Sequence, residues 1–374
     1  MKISRVESLP VRIPLKPEFH MKSALGQHQV SDYVLIRITT DDGIEGAGEA
    51  TVMVRWSGET VWGAHALAER VIGPAIIGDD PRDIDGALAK MNRIAAKNWF
   101  IKSAIEMALW DIVGKAEGKP VYDLLGGPVR SRDIRGRFSM GAYEVERASR
   151  RAKELVSWGF TTIKVKVGGK PADDIARVTA VREAIGPDLE LVIDANCGWD
   201  ADTAIHCIHA LEDCRLGLVE QPTTNGDYAA LARVRRETNV PVMADDICFD
   251  YVDAEELIRN DCCDVISLYP GKNGGIAVSK RIAEFAGRHG VACSIGSNLE
   301  WDVATAAMGH LIVAVENMKI ETYPGDIYGP VYHETRIVLE PLKIAGPITT
   351  ISDRPGLGVE VDWELAQSLR CPDC

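Results

Sequence analysis

The run Phe160-Thr-Thr-Ile-Lys-Val-Lys-Val167 sets Ile163, Val165 and Val167 against Lys164 and Lys166 in strict alternation. In a strand, successive side chains point to opposite faces, so both lysines share one face and the branched apolar residues share the other. Taken alone, the run also reads as a solvent-exposed edge strand with one charged face. Downstream, however, three apolar runs each close on a carboxylate: Leu191-Val-Ile-Asp194, Leu218-Val-Glu220 and Val242-Met-Ala-Asp245. They recur at roughly 25 to 28 residues, about the length of one βα unit in an eight-fold barrel. The spacing predicts two lysines pointing into a barrel mouth, opposite three metal-binding acids.

Working outward, strands and helices alternate from Ile134 on: a strand at 135–140 and a helix at 144–158, then 161–167 and 172–185, then 190–194 and 201–212. Further strands are expected to end near Glu220, Ala244, Leu268, Ser294 and Ile320. Eight strands with intervening helices is the arithmetic of a (β/α) barrel; the parallel alternative is a doubly wound open sheet. Neither Gly168-Gly169 nor Gly274-Gly275 supplies the G-x-G-x-x-G that a dinucleotide-binding sheet wants.

Before the barrel, Lys2 to Ile13, Asp32 to Ile38 and Ile44 to Glu49 read as strands, the last two joined by the turn Asp41-Asp42-Gly43. Between the first two lies a polar, flexible stretch, Leu15 to Val30, carrying His20, Lys22, Gln27 and His28. The next loop, Thr51 to Thr60, places Trp56 beside Arg55, suited either to ligand contact or to packing on a neighbouring domain. Helical periodicity holds from Val61 to Leu125 and stops at Leu124-Leu-Gly-Gly-Pro128. The expected domains are therefore an α+β unit at 1–128, a barrel at 129–344 and a turn-rich segment at 345–374 that packs back on the first.

The chain has 374 residues, enough for about two or three domains. It lacks an apolar run of about eighteen residues and a charged-then-apolar leader, so neither a membrane span nor a secretory signal is expected. A formal charge of -13 disfavours nucleic acid and anionic membrane as partners. Nine cysteines without disulfide-like spacing point to reduced thiols in a cytoplasmic protein, and Cys371-Pro-Asp-Cys374 is a lone pair with no second pair to complete a zinc site.

At a barrel's active face Lys164, Lys166, Asp194, Glu220 and Asp245 would converge. Three clustered carboxylates repel one another unless a cation sits among them, and an oxygen-only set without His or Cys points to Mg2+ or Mn2+. Singly, Asp194, Asn196 and Asp246 also suit helix caps or turns. Adjacent ammonium groups near a divalent cation disfavour their protonated forms, so a lysine there serves as a base. A metal that holds a carboxylate and stabilises the dianion left by α-proton loss completes a coherent centre. The reaction class is proton abstraction α to a carboxylate, or its reverse.

The chain resembles the enolase superfamily, and within it the muconate lactonizing enzyme subgroup. The resemblance rests on Lys164-Val-Lys166, Asp194-Ala-Asn196, Glu220-Gln-Pro222, Ala244-Asp245-Asp246, Asp264-Val-Ile-Ser-Leu268 with Gly274-Gly275, and Ala108-Leu-Trp-Asp111 with Gly114-Lys115 and Leu124-Leu-Gly-Gly127. It implies a modified TIM barrel, (β/α)7β, under an N-terminal α+β capping domain. It further implies that Asp194, Glu220 and Asp245 bind Mg2+, that Lys166 is the general acid/base with Lys164 its auxiliary, and that the segments around His20 and Trp56 are substrate-specificity loops. Dimers or octamers are common in the family, so a homo-oligomer is expected.

One position departs from the subgroup. Where a second lysine usually ends the sixth strand, this chain has Tyr269, in Ser267-Leu-Tyr-Pro-Gly-Lys272. Lys272 reads as a loop residue beyond the Pro-Gly turn. The two-base racemase mechanism is thereby put in doubt, leaving Tyr269 as an acid or hydrogen-bond donor, an aromatic wall, or a neutral replacement. Trp56, Trp199, Trp301 and Tyr323 are further aromatic residues expected at the mouth, to cage a cationic or flat substrate or to pack. His20, Lys22, Trp56, Asn196, Glu300 and Trp301 are the candidate substrate contacts, although Glu300 also suits the first turn of the next helix. A one-base cycloisomerase or dehydratase acting on a small carboxylic acid fits these residues. The alternatives are an amino-acid or dipeptide racemase/epimerase and a non-catalytic carboxylate binder.

Overall fold

The computed structural model describes residues 1–372. β1 (Ile3–Pro14) leads into a small hairpin of β2 (Met21–Ser23) and β3 (Gly26–His28), followed by β4 (Val30–Thr40) and β5 (Glu45–Val52). β1, β4 and β5 form an antiparallel sheet in that order. The expected flexible loop between β1 and β4 is thus ordered. Phe19 explains why: it is buried against Phe138 and Tyr332, with ring centroids 6.0 and 5.1 Å away, and pins the hairpin over the barrel.

The helix Trp99–Glu117 is buried over most of its length and lies across β5. Gly46 and Gly48 make this approach feasible, since a Cβ at either would overlap the carbonyls of Ala108 or Ala104.

In the barrel the expected first strand is split. β6 (Asp133–Arg135) leaves the barrel, and β7 (Phe138–Met140) begins a parallel sheet. The sheet continues in neighbour order through β8 (Thr162–Lys166), β9 (Glu190–Asp194), β10 (Leu218–Glu220), β11 (Val242–Ala244), β12 (Val265–Leu268) and β13 (Ala292–Ile295). The strand expected to end near Ile320 is reduced to one bridge, in which Cys293 N–H donates to Asn317 O (3.1 Å) and Lys319 N–H to Cys293 O (2.7 Å). The architecture is a modified barrel of seven parallel strands beside a separate N-terminal sheet.

The last segment divides between the two. β14 (Lys343–Ala345) and β15 (Ile348–Thr350) pair with β6, whereas the helix Trp363–Ser368 returns to β1, where Arg12 N–H donates to Leu369 O (3.0 Å) and Cys371 N–H to Pro10 O (2.9 Å). Between them, Gly356 N–H donates to Lys119 O (2.9 Å) and Leu357 N–H to Asp111 Oδ1 (2.8 Å), so the segment packs on the N-terminal unit from Gly356 onward. Cys374 of the terminal CxxC lies outside the described residues; the eight cysteines within them are free thiols. Among the described residues no helix is long and apolar enough to cross a membrane.

Candidate active site

Strand alternation builds the site in two layers. Val192, Leu218, Met243 and Val265 point inward and plug the barrel floor as a small apolar cluster with Ala292 and Tyr323. Two residues further along β9, β10 and β11, on the same face, come Asp194, Glu220 and Asp245. Ile163, Val165, Leu191, Ile193 and Val219 point outward into the main core beneath the helices. Pairing in register sets Lys166 beside Asp194 and Asp194 beside Glu220. Both lysines and all three acids border one cavity of about 100 Å³, roofed by β2, β3 and Trp56.

The charges in the cavity are organised as a network. Lys166 Nζ donates to Asp194 Oδ2 (2.5 Å) and to Asn196 Oδ1 (2.7 Å), so Asn196 orients the lysine. Lys164 Nζ donates to Glu220 Oε1 (3.0 Å) and Asp326 Oδ2 (2.6 Å), with Asp194 at 3.3 Å. Arg137, fully buried, donates through Nη2 to Glu220 Oε2 (2.5 Å) and to Asp326 Oδ2 (2.9 Å). Burial and Arg137 push Lys164 down, but Asp326, Glu220 and Asp194 outweigh both and raise it above the ordinary lysine range. The anions around Lys164 thus favour its ammonium form. Lys166 is the more open of the pair, 13% exposed against 5%.

Across the cavity Tyr269 follows β12. Its hydroxyl donates to Asp245 Oδ1 (2.5 Å), and its ring stacks on Trp56 with centroids 5.3 Å apart and planes at 17°. Burial, then Asp245 and Asp246, raise the phenol well above its usual range, and it stands as a donor to Asp245 and a ring against Trp56. Lys272 is not the loop residue expected. It sits in a short helix, Pro270–Asn273, with 0% exposure, and Nζ is tied to Asp245 Oδ1 (2.8 Å), Asp245 O (2.9 Å) and Ser267 O (2.9 Å). It braces Asp245 from behind and does not line the cavity.

Of the candidate substrate contacts, Trp56 and Asn196 line the cavity; His20, Lys22, Glu300 and Trp301 do not. Lys22 is exposed, its backbone carbonyl accepting from Ala142 N–H (2.7 Å). Glu300 turns back to Ser297 Oγ (2.5 Å) and Asn298 N–H (3.0 Å), closing its own turn. Trp301 is fully buried, stacked on Tyr33 at 4.5 Å. Trp199 and Tyr323 likewise lie off the cavity.

Sequence reasoning missed Arg137 and Asp326, and it gave Asp246 no role beyond a helix cap or turn within the Ala244-Asp245-Asp246 motif. Arg137 carried a signal, a charge within the strand Arg135 to Met140 and two residues before Ser139, hence on the inward face. Asp326 follows the expected last strand, in Pro324-Gly-Asp-Ile-Tyr-Gly-Pro330. Asp246 is buried, and burial followed by Asp245 and Asp194 pushes its carboxyl up to about 7.

As for a metal, the donors are all oxygen and sit on three consecutive strand ends, which in kind suits a hard divalent cation. Among the described residues no three such side chains converge to hold an ion as they stand. Each acid is instead turned onto the protein's own donors: Asp194 onto Lys166, Glu220 onto Arg137 and Lys164, Asp245 onto Tyr269 and Lys272.

Comparison with known proteins agrees with this geometry. A family model described as the mandelate racemase / muconate lactonizing enzyme N-terminal domain matches residues 5–126, and one described as enolase C-terminal domain-like matches 147–365. The chain is 34% identical to a hydrophobic dipeptide epimerase from Enterococcus faecalis over 96% of this chain and 99% of that protein. It is 31% identical to muconate cycloisomerase 1 from Rhodococcus opacus over 98% of each. The crystal structure of the dipeptide epimerase from Enterococcus faecalis V583, complexed with Mg and the dipeptide L-Leu-L-Tyr, superposes with a TM-score of 0.91 at 33% identity, covering 96% of this chain and 100% of that one. A barrel with lysines facing strand-end acids, matched over nearly its whole length by such isomerases, belongs to the mandelate racemase/muconate lactonizing enzyme family, and the protein is an enzyme of the enolase superfamily.

Proposed function

We propose that the enzyme acts at the carbon α to a carboxylate with a single base, Lys166, as a cycloisomerase or, by the same half-reaction, a dehydratase of a small carboxylic acid. The observation that carries this reading is the face opposite Lys166. Tyr269 is engaged with Asp245 and Trp56, and Lys272 is locked behind Asp245, so neither side chain offers an amine to the cavity from that face. Mg2+ held by Asp194, Glu220 and Asp245 would supply positive charge beside the substrate carboxylate and lower the free energy of its enolate form.

The chain's own residues do the rest. In cycloisomerisation a carboxylate oxygen of the substrate forms a C–O bond to its conjugated double bond, the electron pair moves to the α-carbon, and the Lys166 ammonium delivers a proton there. In dehydration Lys166 as the amine removes the α-proton, the β C–O bond breaks, and the ammonium so formed returns that proton to the departing hydroxyl, which leaves as water. Asp194 and Asn196 keep Nζ aimed, while Lys164, held protonated, balances the acids below. Trp56, Tyr269 and the β2–β3 hairpin close the cavity over the reacting atoms.

The second reading, dipeptide epimerisation, is favoured by the similarity to the Enterococcus faecalis protein. One experiment separates the two: proton NMR in D2O with Mg2+ against muconates, hydroxy acids, N-acyl amino acids and dipeptides, with Lys166→Ala alongside. A new product absent with Lys166→Ala is the expected result, carrying one stereospecific deuterium at the α-carbon if it forms by cycloisomerisation and no carbon-bound deuterium delivered by Lys166 if it forms by dehydration. Deuterium exchange with inversion of configuration would instead establish the epimerase.

A further inference from the structure

Of the three strand-end acids, Asp245 is the one with an oxygen to spare. Asp194 accepts from Asn196 N–H on Oδ1 (2.9 Å) and from Lys166 on Oδ2 (2.5 Å), and Glu220 accepts from Lys164 on Oε1 and from Arg137 on Oε2. Asp245 receives both of its side-chain donors on one atom: the Tyr269 hydroxyl donates to Oδ1 (2.5 Å), and so does Lys272 Nζ (2.8 Å). Among the described residues no donor reaches Oδ2. That oxygen is not sealed by burial, so it is the one Asp245 presents to the cavity.

Two donors on one oxygen do what one cannot. The last torsion of an aspartate is broad, and a single hydrogen bond fixes an oxygen while leaving the carboxylate plane free to swing about it. Lys272 cannot follow such a swing, since its three N–H groups are spent on Asp245 Oδ1, Asp245 O and Ser267 O. Tyr269 supplies the second direction, through a short bond to a charged acceptor. The phenol is itself held still. Trp56 stacks on its ring with centroids 5.3 Å apart, Lys272 Nζ lies 4.3 Å from the ring centroid, and Gly296 leaves room for the ring edge. Trp56 sits on the short helix Val54–Ser57 of the N-terminal unit, so one of the contacts that hold Tyr269 comes from outside the barrel.

We propose that Tyr269 is a positioning residue for the metal ion: it turns Asp245 so that Oδ2 alone faces the cavity, and it makes that geometry depend on Trp56. Ion affinity is then set in part by how the N-terminal unit seats on the barrel. This assignment rests on the proposed function, in which Asp245 is a Mg2+ ligand. Partners that orient a metal ligand from behind are worth about 10- to 100-fold in affinity, so the effect is large enough to measure.

Calorimetric titration of Mg2+ into the full chain reads the dissociation constant directly. Tyr269→Phe keeps the stacked ring and removes only the donor, and Mg2+ should bind it roughly tenfold more weakly. Trp56→Leu leaves Asp245 and both of its donors in place. It should weaken binding in the wild type and add no further loss in Tyr269→Phe, the non-additivity of residues that act through one contact. Melting temperatures without the ion, taken on the same proteins, separate the two kinds of damage: a merely structural loss lowers them and leaves the dissociation constant where it was. An unchanged Mg2+ affinity in Tyr269→Phe would overturn the positioning role, and equal losses from Trp56→Leu in both backgrounds would overturn its dependence on the N-terminal unit. Asp245→Asn marks the boundary with the proposed function. If it loses the ion and Tyr269→Phe does not, only the positioning role fails; if it keeps the ion, Asp245 is no ligand and both fail. Lys166-dependent deuterium exchange is read separately, so the proton chemistry can stand or fall on its own.

Discussion

Tyr269 sits where one side chain separates two chemistries, and its position is held by what is missing next to it. A Cβ on Gly296 would overlap the Tyr269 ring edge, so only glycine lets the phenol lie flat against Trp56 with its hydroxyl on Asp245. Gly296→Ala should therefore push the ring out of the stack and break that hydrogen bond, at an overpacking cost of about 1–3 kcal/mol. Tyr269→Phe keeps the stack and loses only the hydroxyl donor, and Asp245 still has Lys272; its cost should be about 1 kcal/mol. Denaturant midpoints of the two variants check the ordering, and equal losses would mean that the ring's placement does not depend on Gly296. The departure at Tyr269 was legible in the sequence because it stands in a motif. Its partner was not, because alternation tells which face a side chain takes and says nothing of what it meets there. Arg137 and Asp326 escaped for the same reason: they find each other 189 residues apart in the chain.

At the level of elements, two barrel helices are capped by the N-terminal domain instead of by themselves. The helix Asp302–Ala314 begins after Trp301, which offers no capping side chain, and Glu49 of β5 accepts from Trp301 N–H (2.6 Å) and Ala304 N–H (3.1 Å). The helix Ile276–Arg288 begins after Gly275, and Glu106 accepts from Ile276 and Ala277 N–H at 2.8 Å each. The strand-and-helix rhythm was readable because it is local. These caps were not, because sequence signals for a helix start look for Ser, Thr, Asp or Asn in the chain itself. Both acids are fully buried, and burial, against the pull of those N–H groups, raises Glu49 to about 8 and Glu106 to about 7. A carboxyl whose folded pKa exceeds its unfolded value of 4.5 binds more protons folded than unfolded. Its contribution is therefore fully present below pH 4.5 and is lost as pH rises through the folded value. The melting temperature should fall between pH 5 and pH 9, and Glu49→Gln, which cannot ionise but keeps an acceptor oxygen, should show a shallower fall. Scanning calorimetry of both proteins across that range checks it; parallel curves would mean that Glu49 does not carry the proton.

Across the whole molecule the alternation of βα units was enough to foresee the modified barrel, while its closure was not, since the eighth strand dwindles to a single bridge at Cys293. The cavity's acids come from separate units, β9, β10 and β11, and anything that bridges them couples three strands at once. An ion that binds only the folded chain stabilises it by about 2.7 kcal/mol at a hundredfold excess over its dissociation constant. Mg2+ should thus raise the melting temperature of the wild type, and the rise should disappear in Asp194→Asn, Glu220→Gln and Asp245→Asn. The three variants should differ before any ion is added. Glu220 pairs with both Arg137 and Lys164, all three buried, and removing one partner of a buried ion pair costs about 3–5 kcal/mol, so Glu220→Gln should melt lowest. Asp245→Asn keeps an oxygen for Tyr269 and Lys272 and should lose less. Thermal melts with and without Mg2+ read the two effects separately, baseline for the network and increment for the ion. An equal Mg2+ increment in the wild type and all three variants would place the ion elsewhere and leave these acids with the lysines alone.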